Sequence, residues 1–282
     1  MTINSKPYLK LLRIRDWRAY FLMALFGFVV SKGFLFPLKD IAIFASIILL
    51  FLAFGFAIND SFDAKEDEYK KRGTSPLVSK ELNFKNSLIF ATLLALLGLI
   101  FSLTFGLKVF LFCLTGVITT IFYSAPPLRL KSRPLLDLIS HGFFAGAFIF
   151  ILPLLIFNPE LIVKYYPITL SIFYLSVILE LRNHLEDFEI DKAAGLKTTA
   201  CVLGRENSER LLRYLTILFP LILFPVYSLI SWQYLIFFLI STLLFLPLFL
   251  LSKNSGLGRN YRILDVYAVF VLGLFAIAKL PI

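Results

Sequence analysis

The chain is 282 residues long, 59% hydrophobic and only 16% charged, with a net charge of +10. Soluble domains carry about 25% charged residues, so a mean hydropathy of +0.85 excludes an ordinary soluble enzyme and describes an integral membrane protein. The positive charge lies in short loops and beside apolar segments, where anionic lipid explains it, and no basic low-complexity arm points to nucleic acid.

In chain order, the first 16 residues are too polar for a signal-peptide core, and no small-residue cleavage pattern follows, so no removal is expected. Nine apolar segments come next, each long enough, or nearly so, to cross a hydrocarbon core of ~30 Å. They are 18–36, 38–58, 86–106, 108–124, 136–157, 165–182, 211–229, 232–252 and 263–281. The expected fold is all-α: a polytopic membrane bundle of about nine transmembrane helices with cytoplasmic capping loops. Of the 28 Lys and Arg, all but Lys32, Lys39, Lys108, Lys164 and Lys279 fall on one side of this topology. The positive-inside rule makes that side cytoplasmic, with the N-terminus inside and the C-terminus outside. Cys113 lies within a span and Cys201 on the cytoplasmic side, so neither a disulfide nor a cysteine metal site is expected.

The second segment ends in Asn59, Asp60, Asp63 and Asp67. Steps of four keep Asn59, Asp63 and Asp67 on one helix face, a stripe of oxygen ligands about 12 Å long at ~1.5 Å rise per residue. Asp60 sits about 100° away, suited to a loop or a second ion. The spacing lacks the central Gly and terminal Glu of an EF-hand. The long loop beyond it carries Lys71 and Arg72, a turn at 73–76, and a candidate short interfacial helix from Lys80 to Asn86. The fourth segment runs into Tyr123, Ser124, Pro126 and Pro127, and the prolines stop the helix. Arg129, Lys131 and Arg133 follow, and alternation would point all three one way if that stretch were extended. The sixth segment ends in Asn183, Asp187 and Asp191, the same spacing as the first motif. Glu180 stands one turn earlier, placed to orient a lysine or an Asn, and His184 reads first as a hydrogen-bonded structural histidine and second as a base. Gly195 can end that helix.

A charged stripe at the mouth of a membrane bundle is costly without a partner or a task. Either stripe alone reads equally well as a solvated helix end, and the basic loop alone as a positive-inside loop. Two matched stripes, four spans apart and hence on one membrane face, suggest one domain over 1–282 with an internal pseudo-repeat, roughly 18–124 and 136–252. Such stripes can hold Mg2+ and grip a diphosphate between them. A secondary transporter would place its site near the bilayer midplane, between paired helix breaks. A non-catalytic divalent-ion-binding protein would keep the acids but need no basic loop.

The three motifs together resemble the UbiA superfamily of intramembrane prenyltransferases. Its N-D-x-x-D-x-x-x-D is matched by Asn59, Asp60, Asp63 and Asp67; its Y-S-x-x-P-x-R-x-K by Tyr123, Ser124, Pro127, Arg129 and Lys131; its D-x-x-x-D-x-x-x-G-x-x-T by Asp187, Asp191, Gly195 and Thr198. The likeness covers nearly the whole chain. One departure is that Ser75-Pro76-Leu77-Val78-Ser79-Lys80 lacks the Arg and the Gly many members carry there, so Lys71 or Arg72 would supply that charge. The resemblance implies an Mg-dependent enzyme of lipid or quinone biosynthesis. It would move an isoprenoid chain from a prenyl diphosphate, such as geranyl or geranylgeranyl diphosphate, to a small aromatic or lipid acceptor drawn from the membrane. Two Mg2+ ions would join the diphosphate to Asn59, Asp63 and Asp67 on one side and to Asp187 and Asp191 on the other. Arg129 and Lys131 would stabilise the departing diphosphate, with Ser124, Asn183, Asp60, Lys71 and Arg72 as further substrate-binding groups. Tyr123 would position the diphosphate or face the allylic cation, and Asp191 is the candidate for taking the acceptor's proton.

Overall fold

The computed structural model describes residues 5–69, 75–228, 230–252 and 257–278. Lys71 and Arg72 lie outside them. The described elements are all helical. The N-terminal segment forms α1 (Lys6–Leu11) and α2 (Arg18–Lys32), joined by a 3-10 turn at Ile14–Trp17. There follow α3 (Leu38–Phe62), α4 (Ala64–Tyr69), α5 (Phe84–Leu103) and α6 (Leu107–Ser124). Next, α7 (Leu136–His141), a π-helical turn at Gly142–Ala147 and α8 (Phe148–Phe157) run on as one span. The chain continues through α9 (Glu160–Lys164), α10 (Tyr166–Glu186), α11 (Phe188–Ala193), α12 (Thr199–Leu203), α13 (Arg205–Ser228), α14 (Trp232–Leu251) and α15 (Leu257–Ala278).

Among the described residues, the greater part of each of the nine apolar segments is helical. Among the described residues, seven are long and apolar enough to cross a membrane by length and composition. The other two are α2, only 15 residues long, and α10, whose last turns carry Glu180, Arg182, Asn183 and His184. No helix spans Lys80–Asn86: Lys80 has φ 57°, and α5 starts only after Asn83, whose Oδ1 accepts the Asn86 amide at 2.8 Å. An Asn cap satisfies an otherwise orphaned donor, which is why the helix begins there.

The helices pack through aromatic and small residues. Phe148 lies between Phe51 and Phe112, with ring centroids 4.5 and 4.6 Å away. Helix α2 comes so close to α8 that a Cβ on Gly27 would stand 2.4 Å from the Phe150 carbonyl oxygen. Small residues at such crossings let helix backbones meet where no hydrophobic effect drives them together. Outward, Ile100 on α5 and Leu243 on α14 are 64% and 71% exposed, as expected where lipid replaces water around the bundle. The first turn of α2, the end of α7 with the π-helical turn that follows it, and the C-terminal turns of α3, α6 and α10 line one cavity at one end of the bundle.

Candidate active site

The first acidic row is not one continuous helix. Helix α3 ends at Phe62, Asp63 takes φ −97° and ψ 4°, and α4 starts at Ala64. The second row breaks at the equivalent residue: α10 ends at Glu186, Asp187 takes φ −94° and ψ 6°, and α11 starts at Phe188. This bridge conformation is sparsely populated and common at functional sites. The four-residue step survives, because the Asp63 amide still donates to Asn59 O (3.0 Å) and the Asp67 amide to Asp63 O (2.8 Å). The Asp187 and Asp191 amides do the same to Asn183 O and Asp187 O, both at 2.9 Å.

The rows face each other. Helix α4 packs against α11, and Asn59, Asp63, Asp67, Asn183, Asp187 and Asp191 all line a cavity of about 360 Å³. Its depth is apolar, walled by Phe51, Leu52, Phe56, Phe144, Ala145 and Ile149. Its rim carries Leu196 and Thr198 from the loop after α11. That loop is pinned: Gly195 has φ 73°, Thr198 Oγ1 caps α12 by accepting the Cys201 amide at 3.3 Å, and buried Asp137 accepts from the Thr199 amide (2.6 Å) and hydroxyl (2.5 Å).

The basic loop meets the first row. Arg129, with φ 40°, leads into a 3-10 turn at Leu130–Ser132, so the stretch is not extended and its cations diverge. Arg129 Nη2 lies 2.7 Å from Glu66 Oε1 and 3.7 Å from Asp63 Oδ1, while Lys131 Nζ pairs with Asp63 Oδ1. Arg133 turns back to donate to Leu128 O and Pro127 O. Burial pushes the Lys131 ammonium down to about 7, against the upward pull of Asp191, Glu180 and Asp60. Asp60 faces away from its row's stripe, and Arg13 Nη1 reaches its Oδ1 at 3.1 Å. Burial lowers the Arg13 pKa, but Asp60 and Asp16 more than offset it and hold the guanidinium above its ordinary value.

Beneath the second row is a polar cluster that the motifs only hinted at. Glu180, 6% exposed, receives Tyr123 OH on Oε1 at 2.6 Å and Asn183 Nδ2 on Oε2 at 3.1 Å. The chain has two histidines, and both converge on this carboxylate: His184 Nε2 is 3.3 Å from Oε1 and His141 Nε2 3.3 Å from Oε2. His141 Nδ1 is 3.0 Å from Ser176 Oγ, and Tyr20 OH is 3.5 Å from its Nε2. Ser124 Oγ donates to Asn59 Oδ1 at 3.3 Å. Glu66, Tyr20, His141, Asp137 and Arg13 were missed as site residues, and the available signal was that a membrane bundle seldom buries a histidine without use for it.

The donor set is hard oxygen, carboxylate and carboxamide, which suits Mg2+ rather than soft metals. Among the described residues no three His, Cys, Asp or Glu side chains are grouped to cage an ion unaided. Magnesium does not need that, because one or two carboxylates with substrate phosphate and water commonly complete its octahedron. Buried Glu66 Oε2 has no hydrogen-bond partner, an acceptor left for a cation or a water.

Comparison with known proteins identifies the family and the fold. The model of the UbiA prenyltransferase family matches residues 20–274. The digeranylgeranylglyceryl phosphate synthase of Saccharolobus solfataricus is 26% identical over 294 residues, covering 99% of each chain. A lycopene elongase/hydratase from Haloarcula japonica is 30% identical over 183 residues, 63% of this chain and 59% of its own. In fold, the chain is similar to a UbiA homologue from Archaeoglobus fulgidus, solved bound to GPP and Mg2+, with a TM-score of 0.76, 24% identity and coverage of 96% and 97%.

Proposed function

Because the chain belongs to the UbiA prenyltransferase family, and so is an intramembrane prenyltransferase using a prenyl diphosphate, we propose that it joins a geranylgeranyl chain to a glyceryl phosphate already carrying one prenyl ether. The acceptor class is suggested by the full-length likeness to digeranylgeranylglyceryl phosphate synthases. The observation that carries the reading is the pairing of two acidic rows across one cavity whose depth is apolar.

The diphosphate lies between Asn59, Asp63 and Asp67 on one wall and Asp187 and Asp191 on the other, with Asp60 and Asn183 steadying each row. Two Mg2+ ions held by these oxygens would neutralise the diphosphate charge and weaken the allylic C–O bond. Lys131 and Arg129 exchange their contacts with Asp63 and Glu66 for the departing diphosphate and stabilise its charge. Ser124 holds Asn59 in place. Phe51, Phe56 and Phe144 surround the prenyl chain and keep water from the allylic cation, and the ring of Tyr123 faces that cation. The loop charges support a cytoplasmic mouth, and the two matched helix breaks support the reading of one domain with an internal pseudo-repeat.

The test uses purified protein in lipid nanodiscs with Mg2+, geranylgeranyl diphosphate and geranylgeranylglyceryl phosphate. Diphosphate release should depend on the acceptor and yield the diether phosphate. No release with any prenyl diphosphate would overturn the reaction, and release with only aromatic or polyene acceptors would overturn the acceptor class.

A further inference from the structure

Glyceryl ether formation makes a proton that must leave an apolar cavity. The acceptor O–H bond breaks as its oxygen forms a bond to C1 of the prenyl chain. The C1–O bond to diphosphate breaks with its electron pair on the diphosphate. With the diphosphate at the acidic rows and the tail in the apolar depth, C1 lies at the junction between them. Tyr123 stands at that junction, because the next residue, Ser124, bonds Asn59 of the first row at 3.3 Å, while the Tyr123 ring packs on Phe144 of the apolar wall, centroids 4.8 Å apart.

We propose that Tyr123 and Glu180 are the route by which the acceptor's hydroxyl proton is removed, so that this site is built for a protic acceptor. The Tyr123 hydroxyl donates to Glu180 Oε1 at 2.6 Å, which leaves its oxygen lone pairs to accept from the cavity. As the acceptor proton moves to the Tyr123 oxygen, the Tyr123 proton moves to Glu180. From Glu180 it passes to the imidazoles beside the carboxylate, His184 Nε2 and His141 Nε2 each lying 3.3 Å away, until product release opens the mouth to water. Tyr123 is a catalytic residue in this scheme, and Glu180, acting through it, a positioning and proton-relaying residue. Glu180 is built to hold a charge among apolar helices: Asn183 and both histidines surround the carboxylate. Burying a carboxylate is costly unless partners offset it. Here the partners converge on one carboxylate oxygen pair, and of them only Asn183 belongs to an acidic row. A polyene acceptor, which offers no acidic O–H, gives Tyr123 nothing to take before C–C bond formation.

This inference rests on the proposed alcohol acceptor, and its test separates the two. Wild type, Tyr123→Phe and Glu180→Gln in nanodiscs are supplied with Mg2+, geranylgeranyl diphosphate and either geranylgeranylglyceryl phosphate or its thiol analogue, whose S–H ionises far more readily. Both variants should form ether with kcat lowered about 100-fold, in the range for loss of a positioned acid–base group, and KM for donor and acceptor within about threefold of wild type. With the thiol acceptor the deficit should shrink to about fivefold or less, since the base is then dispensable. Wild-type rates in both variants with the alcohol, or equal losses with alcohol and thiol, would overturn the proposal. A wild type that ignores the alcohol but uses another acceptor would overturn the acceptor reading instead, and the inference with it.

Discussion

At Asp63 and at Asp187 the backbone breaks with nearly the same dihedrals, and in both places the amide reaches back to the Asn four residues before. What surrounds that shared backbone differs. The first row is ringed by cations: Lys131 and Arg129 at Asp63, and Arg13 at Asp60. The second row has a histidine where the first has Asp60, and its Asn183 is tied to Glu180 rather than to a hydroxyl from another helix. The same local geometry therefore serves two environments. One side is arranged to take up the negative charge of a leaving group, and the other leads inward to a carboxylate with two imidazoles. The spacing of acids alone would have assigned both ends the same work.

Chelation should have the largest effect and should strike both ends alike. With EDTA, release of diphosphate should fall by at least ~1,000-fold, because several kcal/mol of charge stabilisation is lost; Mg2+ should restore it. Turnover that survives chelation would mean neither row works through an ion. Lys131→Met comes next and tests the asymmetry. Losing one donor aimed at developing charge costs about 100-fold or more in kcat, with donor KM shifted far less, as steady-state kinetics would reveal. An equal loss from an arginine or lysine near the second row, such as Lys192→Met, would erase the distinction between the ends.

Much of this could be read from the chain, for reasons the physics makes plain. The bilayer writes its thickness into apolar segment lengths, so among the described residues the greater part of each segment is helical, and four-residue spacing identified both rows. The breaks at Asp63 and Asp187 were hidden because the step of four is kept through the break, leaving the pattern unchanged. Arg13 and Asp60 are 47 residues apart and meet only in the folded bundle, so no local pattern announces the pair. Glu180 was visible as a charge one turn before the motif, but His141 sits in another span, and its convergence on Glu180 is tertiary. Arg133 looked equivalent to Arg129 and Lys131 by alternation, and the 3-10 turn separated them.

Smaller effects sharpen the contrast. Arg13→Leu should leave Asp60, 2% exposed, without its cation and lower stability in detergent by about 3 kcal/mol at most, since Arg13 is itself partly exposed. A thermal melt unchanged from wild type would show that the pair does not hold the N-terminal segment to α3. Ser124→Ala removes one neutral hydrogen bond to Asn59, worth about 1 kcal/mol. It should cost about fivefold in kcat/KM with the fold intact, and no change would mean Asn59 is held by the backbone alone.

Whether two acidic walls form one diphosphate site is tested most directly by a double-mutant cycle on binding. Asp63→Ala, Asp187→Ala and the double variant would be titrated with Mg2+ and geranylgeranyl thiolodiphosphate by calorimetry. Each single change should abolish most of the affinity and the double variant should bind little worse than either, because residues sharing a ligand couple strongly. Losses that simply add, or a single variant that binds as tightly as the parent protein, would mean that the walls do not share one ligand.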